Sequence, residues 1–123
     1  MALVKTSVNA QIGGLFFEDT SVNSTKVTLA TSGTYTIHQV SISNTSNTHK
    51  TFLKIYSSDP TVGTTHPDIV LPCEASATAE YSFSPPPSYS NLYYAATREG
   101  GTHNGTATNV ANAITVQFII TSA

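Results

Sequence analysis

The sequence predicts an all-β fold, an antiparallel β-sandwich of jelly-roll or immunoglobulin-like type. Apolar residues do not recur every three to four positions in any long segment, so no helix is expected. Short runs of β-branched and aromatic residues recur instead, and stretches rich in Gly, Pro, Asn, Asp and Ser separate them. We predict strands over residues 2–8, 12–17, 25–30, 34–43, 51–57, 68–72, 76–83, 91–97 and 113–121.

Two of these strands carry especially informative patterns. In strand 113–121 apolar and polar residues alternate, which predicts a central strand with one buried face. That face comprises Ile114, Val116, Phe118 and Ile120. In strand 34–43 the apolar phase slips between Ile37 and Val40, which predicts a β-bulge near His38–Gln39.

The chain of 123 residues has the size of one ordinary domain. Residues 1–20 are less regular, and Gly13 and Gly14 interrupt the second predicted strand. We therefore expect residues 1–20 to be an N-terminal arm or an edge strand, and residues 21–123 to form the sandwich. Cys73 is the only cysteine, so an intrachain disulfide is excluded.

The surface is expected to be polar but weakly charged. Charged residues make up 10% of the chain, whereas about 25% is usual, and the sequence holds 20 Thr, 15 Ser and 8 Asn. A net charge of −2 offers no basic patch, so nucleic acid is not an expected partner. No apolar run is long enough for a membrane span, and no signal-peptide pattern precedes the first strand. We expect synthesis in the cytoplasm and no membrane partner.

Each candidate catalytic or binding motif lacks a residue or a spacing that its chemistry requires, so we expect no enzyme and no cofactor. The loop 100–105 has the spacing of a phosphate-binding loop but lacks the lysine that would meet the phosphates. No Gly-x-Ser-x-Gly elbow exists for a serine nucleophile. Zinc requires three or four converging ligands, and the histidines are far apart in the chain. They are His38, His49, His66 and His103.

Aromatic residues are the remaining candidates for a binding surface. A cluster of tyrosines could be interface anchors, a platform that stacks on sugars, or core residues whose hydroxyls reach the rim. As candidate interface residues we name Phe16, Phe17, Tyr89, Tyr93 and Tyr94. We name no catalytic, cofactor-binding or metal-binding residue.

One block is more distinctive than the composition. Residues 51–72 read TFLKIYSSDPTVGTTHPDIVLP. This block is similar to a stretch, roughly YLKLY…PTVGTxxP…LP, of small β-sandwich domains in the virion proteins of tailed phages. The resemblance extends over about residues 35–123 and departs from the pattern at Pro85–Pro87, where a turn with glycine is commoner.

The resemblance implies a structural protein of a bacteriophage virion, and no catalytic residues come with it. Our first expectation is a capsid decoration (cement) protein that bridges and stabilises capsid subunits. Its partners would be the major capsid protein, or another virion protein, and further copies of itself in a homotrimer. Two alternatives stay open, which are a tail or head-fibre module of the virion and a carbohydrate-binding β-sandwich that uses the tyrosines.

Overall fold

The computed structural model of the protein describes residues 3–7, 15–30, 34–100 and 108–122. These residues form β-strands and their connections, and none of them lies in a helix. The strands are β1 (Leu3–Ser7), β2 (Leu15–Val22), β3 (Val27–Ala30), β4 (Tyr35–Ser43), β5 (Thr51–Tyr56), β6 (Ile69–Cys73), β7 (Thr78–Ser82), β8 (Ser88–Tyr89), β9 (Leu92–Thr97) and β10 (Ile114–Ser122).

The strands form two antiparallel sheets packed face to face. Sheet A has the order β1-β2-β10-β4-β7, with β8 pairing to β4, and sheet B has the order β3-β9-β5-β6. The chain changes sheet at most connections, and the early strand β2 lies beside the last strand β10. The prediction of a β-sandwich is confirmed. Between its two alternatives, this strand order matches the jelly roll, because β10 lies between β2 and β4 in sheet A and β9 lies between β3 and β5 in sheet B, an interleaving of early and late strands that is typical of paired Greek keys.

The predicted central strand is confirmed. β10 pairs with β2 on one side and β4 on the other. The side chains of Ile114, Val116, Phe118 and Ile120 are each at most 1% exposed. They face sheet B, because alternate residues of a strand point to the same side.

The predicted β-bulge also lies where the apolar phase slips. Ile119 pairs with Gln39 and the next residue, Ile120, pairs with Ile37, so His38 is the extra residue of β4. The bulge keeps Ile37 and Val40 in the core, where both are completely buried. The His38 ring, through Nε2, shares a 2.9 Å hydrogen bond with the Thr121 hydroxyl.

The N-terminal residues belong to sheet A. β1 is the edge strand of this sheet, whereas β2 lies inside it between β1 and β10. Phe17 of β2 pairs with Phe118 and is 5% exposed. The division that we predicted between residues 20 and 21 therefore falls within β2, which pairs with strands on both sides and contributes to the core.

The core fills the space between the two sheets. Sheet A contributes residues from β2, β4 and β10, and sheet B contributes residues from β3, β5, β6 and β9. Its fully buried large side chains include Ile37, Ile42, Leu53, Ile55, Leu92, Tyr94, Ile114, Phe118 and Ile120. The lone cysteine, Cys73, is buried among them, and this burial raises the pKa of its thiol.

Asparagine side chains close one end of the sandwich. Asn44 and Asn47, in the connection from β4 to β5, are each 1% exposed. The Asn44 amide donates to the carbonyl oxygens of His49 and Glu74, at 2.9 and 3.0 Å. Asn47 donates to the Asn112 carbonyl and accepts from the Asn112 backbone N–H, both at 2.8 Å. These bonds join three connections, and they satisfy polar groups that would be costly to bury alone.

One buried hydrogen bond joins the two sheets through the core. Asp19 of β2 is completely buried, and its carboxylate accepts a 2.7 Å hydrogen bond from the hydroxyl of Tyr94 on β9. The same carboxylate accepts the Ser21 backbone N–H at 2.9 Å. Burial and the bond to Asp19 raise the pKa of the Tyr94 phenol.

We expect Tyr94→Phe to lower the free energy of unfolding by about 1–3 kcal/mol, because a buried carboxylate loses a donor. The phenol has a higher pKa in the folded chain than its ordinary value of 10.0. The stabilisation that the Tyr94 phenol contributes to the folded chain is therefore complete below pH 10 and is lost as the pH rises further. The variant should lose less stability than the wild type between pH 10 and 11 in urea unfolding experiments. Tyr93→Phe, on the outside of the same strand, is the control and should behave as the wild type. If the free energy of unfolding falls equally between pH 10 and 11 in Tyr94→Phe and the wild type, the buried hydrogen bond from Tyr94 to Asp19 is contradicted.

Candidate docking surface

The outer face of sheet B is not a free surface. On β5 and β9 the residues that alternate with the core residues are also buried, and these are Lys54, Tyr56, Ala95 and Thr97. Each is at most 1% exposed. The alternation along β5 places Leu53 and Ile55 towards the core and Lys54 and Tyr56 on the other side. It did not predict that the other side would be covered too.

The connection from β5 to β6 provides part of this cover. Asp68 is tied back to β5, since its backbone N–H donates to the Ile55 carbonyl at 2.8 Å and its carboxylate accepts the Ser57 N–H at 2.7 Å. Asp59 forms an ion pair with Lys26, just before β3. The connection therefore reaches from β5 across to the opposite edge of sheet B, and Pro60 within it is buried.

The segment after β9 provides a second part of the cover. A Cβ added to Gly100 would lie 2.8 Å from the Phe52 ring, so the backbone at Gly100 rests directly on that ring. Two hydrogen bonds hold the segment, one from Arg98 N–H to the Thr108 carbonyl at 3.0 Å and one from Thr108 N–H to the Glu99 carboxylate at 3.1 Å. Glycine is required here because the backbone approaches a packed ring.

Two polar groups lie beneath this cover. Burial lowers the pKa of Lys54, and the nearby Glu99 carboxylate opposes that shift. The Tyr56 hydroxyl is buried without a hydrogen-bond partner, and burial raises its pKa. The central part of the outer face of sheet B, around Lys54 and Tyr56, is therefore interior to the domain and offers little surface to a partner.

The outer face of sheet A differs, because its described side chains are half-buried or exposed and mostly polar. One row crosses four strands in register and comprises Glu18, Gln117, Ser41 and Glu80. The Gln117 amide donates to Glu18 at 2.7 Å, and the Gln39 amide donates to Glu80 at 2.7 Å. The carboxylates are thus held in place by neutral amides.

A shallow depression of about 270 Å³ lies on this face over β4. The side chains of Ser41 and Ser43 are short, whereas Gln117 and Glu80 on the neighbouring strands are long. The floor therefore lies lower than the two sides. The lining residues are Ser41, Ile42, Ser43, Thr78, Ala79, Glu80 and Gln117.

Charges are distributed unequally between the two faces. Among the described side chains, the outer face of sheet A carries Glu18 and Glu80 and no lysine or arginine. Two of the described lysines form ion pairs elsewhere, Lys26 with Asp59 and Lys50 with Glu74, the latter at 3.1 Å. The face is consequently acidic, although the net charge of the whole chain is small.

The five predicted interface residues do not form one patch. Phe17 and Tyr94 are 5% and 1% exposed and lie in the core, so neither is an interface residue in this fold. Phe16 is half-buried on the outer face of sheet A opposite Ile119, and Tyr89 packs partly buried against the core. Tyr93 is half-buried on the outer side of sheet B.

The tyrosines are also not arranged as a platform for sugars. Tyr81 and Phe83 pack against the core in the same way as Tyr89, and the Tyr81 hydroxyl donates to the Pro72 carbonyl. The sandwich explains this arrangement, because alternate residues of β7 must face sheet B.

The described ranges contain no group of three or more His, Cys, Asp or Glu side chains that could hold a metal ion. They also contain no helix long and apolar enough to cross a membrane. Most of the loop 100–105, including His103, lies outside the described residues.

Sequence reasoning missed the residues that define the open face. The sequence analysis named none of Glu18, Gln39, Glu80 and Gln117 as a candidate. The alternation in strand 113–121 did place Gln117 on the polar face of that strand. The signal that was lacking is the register of β7, β4, β10 and β2, which local patterns do not determine.

Comparison of the chain with protein-family models, with curated proteins and with solved structures finds no match.

We expect Gly100→Ala to lower the free energy of unfolding by about 1–3 kcal/mol, because its Cβ would overlap the Phe52 ring. The cost should be smaller when the substitution is made in a Phe52→Leu background, where the ring atoms are gone. A double-mutant cycle measured by urea unfolding isolates this coupling. If Gly100→Ala is additive with Phe52→Leu, the segment does not rest on the ring.

Proposed function

We propose that the protein is a non-enzymatic structural protein that docks on a larger protein assembly through the outer face of sheet A. The observation that carries the proposal is the contrast between the two faces. The cover formed by residues 57–68 and 98–100 occupies the outside of sheet B, whereas the outside of sheet A is broad, polar and uncovered among the described residues. A single open sheet face is suited to contact with a large flat partner.

The assembly that we propose is the head of a tailed phage, where the protein acts as a capsid decoration (cement) protein. The support is the resemblance of residues 51–72 to domains of phage virion proteins. In the structure this block forms β5, the covering connection and β6, so the motif belongs to the framework. Jelly rolls recur in viral structural proteins, but that is an analogy of fold.

We propose further that copies of the protein contact one another on the shell as homotrimers. A cyclic trimer needs only one kind of interface, used three times. The charged fraction of 10% supports this proposal, because few charges repel approaching copies. Copies that sit singly on the particle, without mutual contact, would contradict it in an electron microscopy reconstruction.

The alternative of a tail or head-fibre module uses the same face and differs only in the position on the virion. The same reconstruction decides between them. The alternative of a carbohydrate-binding module receives no support from the geometry, because Tyr81, Tyr89 and Tyr94 pack in or against the core, whereas Tyr93 lies on the outer side of sheet B.

We expect particles that lack the protein to survive heating or osmotic shock less well than particles that carry it. The reason is mass action, since a ligand at 100 times its dissociation constant stabilises each occupied site by about 2.7 kcal/mol. The measurement compares plaque-forming titres of wild-type and gene-deleted particles after a graded shock. Adding purified protein to the deleted particles should restore survival. Equal survival of both particles would contradict the cement role.

A further inference from the structure

We infer that the depression over β4 receives an arginine or lysine side chain of the protein on which the chain docks. This inference rests on the proposed function and specifies the chemistry of its partner. It depends on the hydrogen-bond directions on the outer face of sheet A, on the charges available in the chain and on the shape of the depression.

The polar atoms that remain available around the depression are mainly hydrogen-bond acceptors. Gln39 donates through Nε2 to Oε1 of Glu80, and Gln117 donates through Nε2 to Oε2 of Glu18. Each amide thereby uses one of its N–H groups, while its carbonyl oxygen and the second oxygen of each carboxylate remain available. This excess of hydrogen-bond acceptors is complementary to a partner that supplies hydrogen-bond donors.

Neither Glu18 nor Glu80 forms an ion pair within the described part of the chain. Asp59 and Glu74 form ion pairs with lysines, Asp19 lies in the core, and Asp68 and Glu99 accept backbone N–H groups of the cover. Glu80 is exposed and is bonded by a neutral amide. A cation from outside the chain would neutralise the charge of the Glu80 carboxylate.

A guanidinium group fits these requirements best. It carries five N–H donors in a planar fork, which can reach a carboxylate and neighbouring hydroxyl groups at the same time. Glu80 stands at one side of the depression, and the hydroxyls of Ser41 and Ser43 lie on its floor. An ammonium group supplies three donors and could bind in the same place with fewer contacts.

Among the basic side chains that the structure describes, none makes a second copy of the chain as good a source of this cation as a different protein. Lys26 and Lys50 already form ion pairs, and Lys54 is 1% exposed beneath its cover. Arg98 is exposed, but Glu99 follows it directly in sequence. The partner is therefore a different protein whose docking surface presents an arginine or a lysine.

The test measures binding of purified variants to particles from which the gene has been deleted. Glu80→Gln removes the charge at nearly constant shape, and Ser41→Arg fills the depression with a competing cation. Both should bind at least about tenfold more weakly than the wild type. Asp59→Asn, which changes an exposed carboxylate in the cover on the outside of sheet B, is the control and should bind normally. Raising the salt concentration should weaken the wild type more than Glu80→Gln.

The outcomes separate the inference from the proposed function. Normal binding of both Glu80→Gln and Ser41→Arg would overturn the inference while the docking function stands. Failure of the wild type to bind would overturn the docking function, and the inference with it. Weak binding of Arg98→Glu, equal to that of Glu80→Gln, would identify a second copy as the source of the cation and overturn the assignment to a different protein. Equal melting temperatures of the variants exclude misfolding as the cause.

Discussion

The burial of β5 and β9 on both faces is the constraint on which the rest of the structure depends. A sandwich needs to bury only the inner face of each sheet, yet here Lys54 and Thr97 on the outer face of sheet B are buried as well. The chain achieves this by laying the β5–β6 connection and the segment at Gly100 across the sheet. The centre of the outer face of sheet B is thereby buried, and among the described residues sheet A retains the broader open face for contacts.

Polar groups stabilise this arrangement because each buried one, with few exceptions, has a partner. The Asp19–Tyr94 hydrogen bond joins the sheets within the core, and Asn44 and Asn47 fasten three connections at one end. Such bonds add modestly to stability when made and cost much when broken, so they favour one arrangement of the connections over others. A rigid framework of this kind keeps the row from Glu18 to Glu80 in a fixed geometry, which a surface that docks without folding requires.

The sequence predicts the strands better than it predicts their surroundings. Alternation in β10 and the phase slip at His38 are local signals, and the structure confirms both because the inner face of sheet A must be apolar. Tyr94 was named as a candidate interface residue as part of a tyrosine cluster, but it lies in the core. A strand buried on both sides, such as β9, cannot be oriented from its own residues. The acceptor-rich face depends on register across four strands, which no single segment encodes.

The most direct test of the account compares chemical labelling of surface carboxyl groups in the free chain and in the particle-bound chain. If the chain docks through the outer face of sheet A, Glu18 and Glu80 will lose labelling on binding, whereas Asp59 and Glu74 will be labelled as in the free chain. The free chain provides the reference for the different exposure of each group. Protection of Asp59 and Glu74, with Glu18 and Glu80 still fully labelled, would contradict the claim that sheet A provides the docking face.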